Sequence, residues 1–152
     1  MSEPVSFPTA TSRFGLPLLF AGQAQKEFYF NEAISLADIL LHPVVQGETE
    51  TTPSSPMEGD CWIVGPQPAG AFADHAGYLA GYQSGQWLFA APREGMRAFD
   101  VSMMAERRYD GGWTTPPVIA APSGGSVVDV QARAVISSLL AALLGSGILR
   151  QA

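Results

Sequence analysis

The spacing of apolar and polar positions changes period along this chain. Between Gln23 and Leu41, Phe30, Ile34, Ala37 and Leu41 recur at steps of four, three and four, which places them on one helical face. Pro17 and Gly22 make an irregular lead-in. Pro43 ends the pattern, because the residue before a proline avoids the α region. A helix is therefore predicted over 23–41. Gln23, Gln25, Lys26, Glu27, Asn31 and Glu32 crowd its first half. No reaction class calls for that mixture of amides and charges. It predicts a helix that packs on one side and docks polar groups on the other, with Gln23, Gln25, Lys26, Asn31 and Glu32 as candidate interface residues.

The polar stretch 46–57 reads as a loop, and a period of two then takes over. Short strands are predicted at 60–64, 77–83, 86–91, 96–101 and 104–109. Turn chemistry separates them at 66–70, Ser84-Gly85, Arg93-Glu94-Gly95 and Asp110-Gly111-Gly112. Ser84-Gly85 between two such runs predicts a tight hairpin. The expected architecture is α+β, with the N-terminal helix packed on a small antiparallel sheet or partial barrel.

Four segments follow from this reading: an extended arm at 1–12, a helix-plus-meander domain at 13–113, a Pro/Gly linker at 114–126, and a C-terminal helix within 127–152. Ser126 is the expected N-cap, Asp129 sits in the first turn, and Gly145 and Gly147 end the helix. Ala132, Ile136, Leu139 and Leu143 repeat at four, three and four, and Val128, Val135, Leu140 and Leu144 widen the stripe. A helix this apolar must be covered. Self-association through Ile136, Leu139, Leu140 and Leu143 is the expectation, as a trimer or a pentamer.

Composition agrees with an assembly role. Apolar residues make up 47% of the 152 residues and charged ones only 14%. A sparsely charged surface is suited to contact with other protein. The length supports a self-sufficient core that buries about two thirds of the unfolded surface. The net charge is −6, Lys26 is the single lysine, and Arg107-Arg108 is the single basic pair. No phosphate-binding stripe results, so nucleic acid is not an expected partner. No secretory leader and no run of about 20 apolar residues is visible, so membrane insertion is not expected either. Cys61 stands alone beside Trp62 and reads as a buried strand residue.

Chemistry-bearing residues are few and scattered. Asp74-His75 offers a base or a metal ligand, yet it lacks a second histidine or a cysteine cluster nearby and reads as a solvated loop pair. His42 is placed to cap carbonyls at the helix end. Glu94, Asp100, Glu106 and Asp110 could pair as in a glycoside hydrolase, as any acidic chain allows by accident. Trp62, Trp87 and Trp113, with Tyr78, Tyr82, Phe89, Phe99 and Tyr109, could stack on sugar rings or build the core of a small sheet. Trp87 and Trp113 are the candidate stacking residues. No catalytic residue, metal site or cofactor is expected.

Several blocks resemble a known family. GLPLL, AGQAQKE and NEA in the first helix region, EGDCWIVG from Glu58, GQWLFAAPREGMRAF from Gly85 and YDGGW from Tyr109 are similar to an uncharacterised domain family of bacteriophages and alphaproteobacterial gene transfer agents. The likeness covers roughly 12–114. Aromatic Phe28-Tyr29-Phe30 and Cys61 depart from its more polar pattern. The resemblance implies a virion component: a structural part of a phage-like particle, assembled in the bacterial cytoplasm, that joins or forms the base of a host-recognition spike or fibre beside other capsid, spike or fibre proteins. It brings no catalytic residues. The alternative expectation is a carbohydrate-binding module that touches capsule or surface polysaccharide directly.

Overall fold

A computed structural model describes residues 11, 13, 16, 18–19, 26–125 and 129–150, with the side chains of Lys26 and Phe28 outside the description. The arm expected at 1–12 falls outside it except for Thr11. The chain divides into two units, 1–92 and 93–152, so the boundary falls inside the β block and not at the Pro/Gly linker.

The first unit holds α1 (Lys26–Leu41), β1 (Val44–Val45), β2 (Glu48–Thr49), β3 (Cys61–Val64), β4 (Leu79–Gln83) and β5 (Gln86–Ala90), with a 3-10 turn at Gly70–Phe72. Four strands form an open sheet in the order β2-β3-β4-β5. The sheet is mixed, not purely antiparallel: β2 runs parallel to β3, while β3, β4 and β5 form an antiparallel meander. Glu48–Thr49 lies in the stretch expected to be loop. Its strand exists because Ile63 N donates to Gly47 O and Gly65 N to Thr49 O, a pairing no local pattern announces. The hairpin at Ser84-Gly85 has two loop residues, and φ is positive at both, +53° and +74°. Glu58 braces it from 26 residues away, accepting from Ser84 N at 2.6 Å and Gly85 N at 2.9 Å.

Helix α1 stops at Leu41 as the proline requires, but it buries a different face from the one its spacing suggests. Ser35, Asp38 and Ile39 are buried, while Phe30 and Leu41 are 45% and 63% exposed. Two long-range contacts decide this. Arg13 lies against the C-terminal turn: its backbone N donates to Asp38 Oδ2 at 3.1 Å, and its guanidinium donates to the carbonyls of Asp38, Ile39 and His42. Arg13, not the His42 ring, therefore caps the helix, since the orphan carbonyls and the dipole both favour a cation there. Ile39 in turn lies directly on Gly81 of β4. A Cβ at Gly81 would overlap Ile39 Cδ1 and stand 2.7 Å from its Cγ1. Gly81→Ala should thus cost about 1–3 kcal/mol by overpacking. Ile39→Val in the same chain, which removes Cδ1, should return part of the loss in urea unfolding midpoints.

The second unit holds β6 (Arg97–Asp100), β7 (Ala105–Arg108) and α2 (Val130–Gly145). β6 and β7 pair antiparallel, with Arg97 opposite Arg108 and Asp100 opposite Ala105. Asp129, expected one turn inside, is itself the N-cap and accepts from Ala132 N at 2.9 Å; Ser126 lies outside the described residues. After α2 the chain returns to the hairpin, where Glu106 N donates to Gly147 O at 2.7 Å and Leu149 is buried.

Candidate functional site

Three surfaces carry the residues singled out from the sequence. The first is the flank of α1. Gln23 and Gln25 lie outside the described residues, as does the side chain of Lys26. Asn31 is committed within the fold: its Oδ1 accepts from Leu19 N at 2.8 Å and its Nδ2 donates to Leu19 O at 3.0 Å. This two-point amide pair straps the lead-in segment to the helix, so Asn31 is a positioning residue and not a free docking group. Glu32 is exposed. A cleft of about 610 Å³ opens here, between Leu18, Leu19 and α1 on one side and the β4–β5 hairpin on the other.

The second surface is aromatic. Gly81 faces α1, so alternation directs Leu88 to that side and Trp62, Tyr82, Trp87 and Phe89 to the opposite face. There Phe72 plugs the sheet, its ring edge-on to Trp87 at 4.9 Å and to Phe89 at 5.8 Å. Trp62 and Tyr82 flank Trp87 at 5.6 and 5.1 Å. Both faces of the sheet are covered, one by α1 and one by the 3-10 turn. Trp87 is half-buried and packed on the core, with its neighbours tilted and edge-on, not arranged as a flat stacking platform. Trp113 is half-buried against Tyr109 at 5.5 Å. His75 departs from the expected solvated loop: its ring stacks on Phe89 at 3.8 Å and its Nδ1 lies 2.7 Å from Ala73 O. It is a packing residue.

The third surface is α2. None of its residues is buried. Val130, Val135, Ile136 and Leu139 are 73%, 59%, 42% and 59% exposed, while Leu140 and Leu143 are half-buried. Arg133 is the single charged side chain on the helix, and it donates to the carbonyls of Pro122 and Gly124.

The carboxylates weighed for hydrolysis have separate tasks. Glu94 accepts from Gly111 N at 3.0 Å, Glu106 pairs with Arg97 at 3.1 Å, and Asp110 lies 3.9 Å from Arg108. Asp100 is buried beside Arg107 at 3.6 Å and accepts from Ser102 N and Oγ. Cys61 is 1% exposed, and burial pushes its thiol up to about 12, which leaves it protonated and unreactive at neutral pH. Among the described residues no group of three His, Cys, Asp or Glu is placed to hold a metal ion, and no helix is long and apolar enough to cross a membrane. Glu58 and Glu94 share a device that sequence reading missed. Each uses its carboxylate to hold backbone N–H groups of a turn far along the chain, which is how EGD and REG act in this fold.

A family model described as protein of unknown function, DUF2793, matches residues 30–114. The chain belongs to the DUF2793 family. The DUF2793 match begins within α1 and contains both hairpins and the motifs braced by Glu58 and Glu94, while α2 lies beyond it. No curated protein and no solved structure gives a significant match.

Proposed function

We propose that this DUF2793 chain is a non-enzymatic structural component of a phage-like particle, a gene transfer agent or prophage, and that it joins or forms the base of a host-recognition spike or fibre. It assembles as a homo-oligomer through α2 and meets other capsid, spike or fibre proteins on the particle. One observation carries the reading: a 16-residue helix that buries no side chain exposes Val130, Val135, Ile136 and Leu139. Burying a single side chain of this kind contributes about 1.5–3 kcal/mol, so a few per copy suffice to hold copies together. Arg133, the one charge on the helix, donates to the carbonyls of Pro122 and Gly124. The resemblance of the motif blocks to phage and gene-transfer-agent proteins supplies the particle context. The glycan alternative lacks comparable support, because Trp87 is packed edge-on in the core of its unit.

The full chain should run as a discrete oligomer in light scattering, and Ile136→Asp with Leu139→Asp should reduce it to a monomer of unchanged circular dichroism. A monomeric parent chain would sink the assembly reading. Peptides of the chain should co-sediment with capsid protein in gradient-purified, nuclease-resistant particles from the source bacterium at a fixed ratio. Their confinement to the soluble fraction would sink the particle reading.

A further inference from the structure

We infer that the outer edge of β5 and the cleft beside it take an extended, basic segment of another polypeptide by β-strand addition. The ladder fixes which backbone groups are offered. Tyr82 N donates to Asp60 O at 2.8 Å, and Tyr82 O accepts from Gly59 N at 2.8 Å, so Tyr82 bonds on the β3 side. In an antiparallel pair bonded and non-bonded residues alternate. Across β4–β5 the bonded pairs are therefore Leu79 with Ala90, Gly81 with Leu88 and Gln83 with Gln86, while Trp87, opposite Tyr82, and Phe89, opposite Ala80, turn their N–H and C=O groups away from β4. β5 ends the sheet order, and among the described residues no strand lies beyond it.

Exposed sheet edges are ordinarily guarded by lysine, proline or a bulge. Gln-Trp-Leu-Phe-Ala carries neither residue and pairs in unbroken register. The space beside it is shaped for a strand. The cleft of about 610 Å³ has β5 on one side and α1 on the other, a groove between a strand edge and a helix. Trp87 also lines it, while its ring packs edge-on to Phe72. Leu18, Leu19 and Leu88 give the groove an apolar lining for alternate side chains. Glu32 is an exposed carboxylate in its described lining, so the arriving strand presents a lysine or arginine towards α1. The mode uses the first unit alone and is independent of assembly through α2.

The test is selection of randomised nine-residue peptides on the full chain, followed by titration of the selected peptide into isotope-labelled protein. The expected binders alternate apolar residues with lysine or arginine. The amides of Trp87 and Phe89 should shift and gain protection from hydrogen exchange, while that of Leu88, already bonded to Gly81, should keep its protection. N-methylation of the peptide amides facing β5 should weaken binding about tenfold, the loss of one or two backbone hydrogen bonds. Glu32→Lys should weaken it to a similar degree without changing the oligomeric mass. No selection, acidic binders, shifts centred away from β5, or undiminished binding of the N-methylated peptide would each overturn the proposal. Protection of Trp87 and Phe89 that rises with protein concentration alone would overturn it in favour of a second copy on the edge. Shifts at the cleft produced by an oligosaccharide panel but by no peptide would overturn it in favour of a glycan.

Discussion

Replacing Arg107 with alanine should destabilise the second unit by about 3–5 kcal/mol, the range for removing one partner of a buried ion pair. The Arg107 side chain is 5% exposed and faces Asp100, fully buried, at 3.6 Å. The guanidinium also donates to Trp113 O at 3.2 Å and Thr114 O at 3.3 Å, so it ties β7 to the segment after the YDGGW turn. Its removal leaves the Asp100 carboxylate buried without its cation and frees two carbonyls. Hydrogen exchange at β6 and β7 amides, read with urea unfolding, should show the loss. Arg107→Lys should remain well below the parent chain, because an ammonium cannot reach Asp100 and both carbonyls with one planar fork. Arg107→Met with Asp100→Leu should recover much of the stability, since apolar replacement of a whole buried pair is often neutral or better. A loss under 1 kcal/mol for Arg107→Ala would contradict the clamp.

Phe72→Ala should cost about 3–5 kcal/mol in the first unit, as large-to-small changes at full burial do. Phe72 is fully buried and packs with Val64 and Ala80, edge-on to Trp87 and Phe89. It is the plug on the sheet face opposite α1, so its truncation opens a cavity between the 3-10 turn and the sheet. Urea unfolding should move to lower denaturant, and near-ultraviolet circular dichroism should weaken as Trp87 loses its fixed neighbour. Met57→Ala, at a side chain 70% exposed, serves as the control and should fall within about 0.5 kcal/mol of the parent. Equal losses for both would show that Phe72 does not hold that face.

The Arg107–Asp100 pair and the Phe72 plug show why the carboxylates and aromatics that first suggest chemistry have tasks in the fold. Asp100, Glu58 and Glu94 each accept from backbone or pair with a buried cation, and Trp87 packs edge-on against buried Phe72 with Trp62 beside it. Two surfaces of the described residues are apolar or backbone in character: the exposed side of α2 and the outer edge of β5. Neither is marked by a motif, so the candidate sites were only partly legible. Ile136 and Leu139 stand out because an apolar helix is visible as a period. The edge of β5 does not, because strand order is invisible until β2 is seen to pair on the far side of β3.

The sequence by itself determined the elements whose causes are local. All five expected strands lie within one or two residues of the observed ones, because turn residues with special backbone angles delimit them. The end of α1 before Pro43, the two-residue hairpin and the apolar character of α2 follow in the same way. Only the tertiary structure decided which face of α1 is buried, since that depends on Gly81 admitting Ile39 and on Arg13 reaching across 25 residues to Asp38. It alone decided that Glu48–Thr49 is a strand, that Asn31 is bound to Leu19, and that His75 stacks on Phe89. Each of these is a pairing between segments far apart in the chain. Their energies depend on burial and on which groups meet, and the order of residues within either segment does not carry that information.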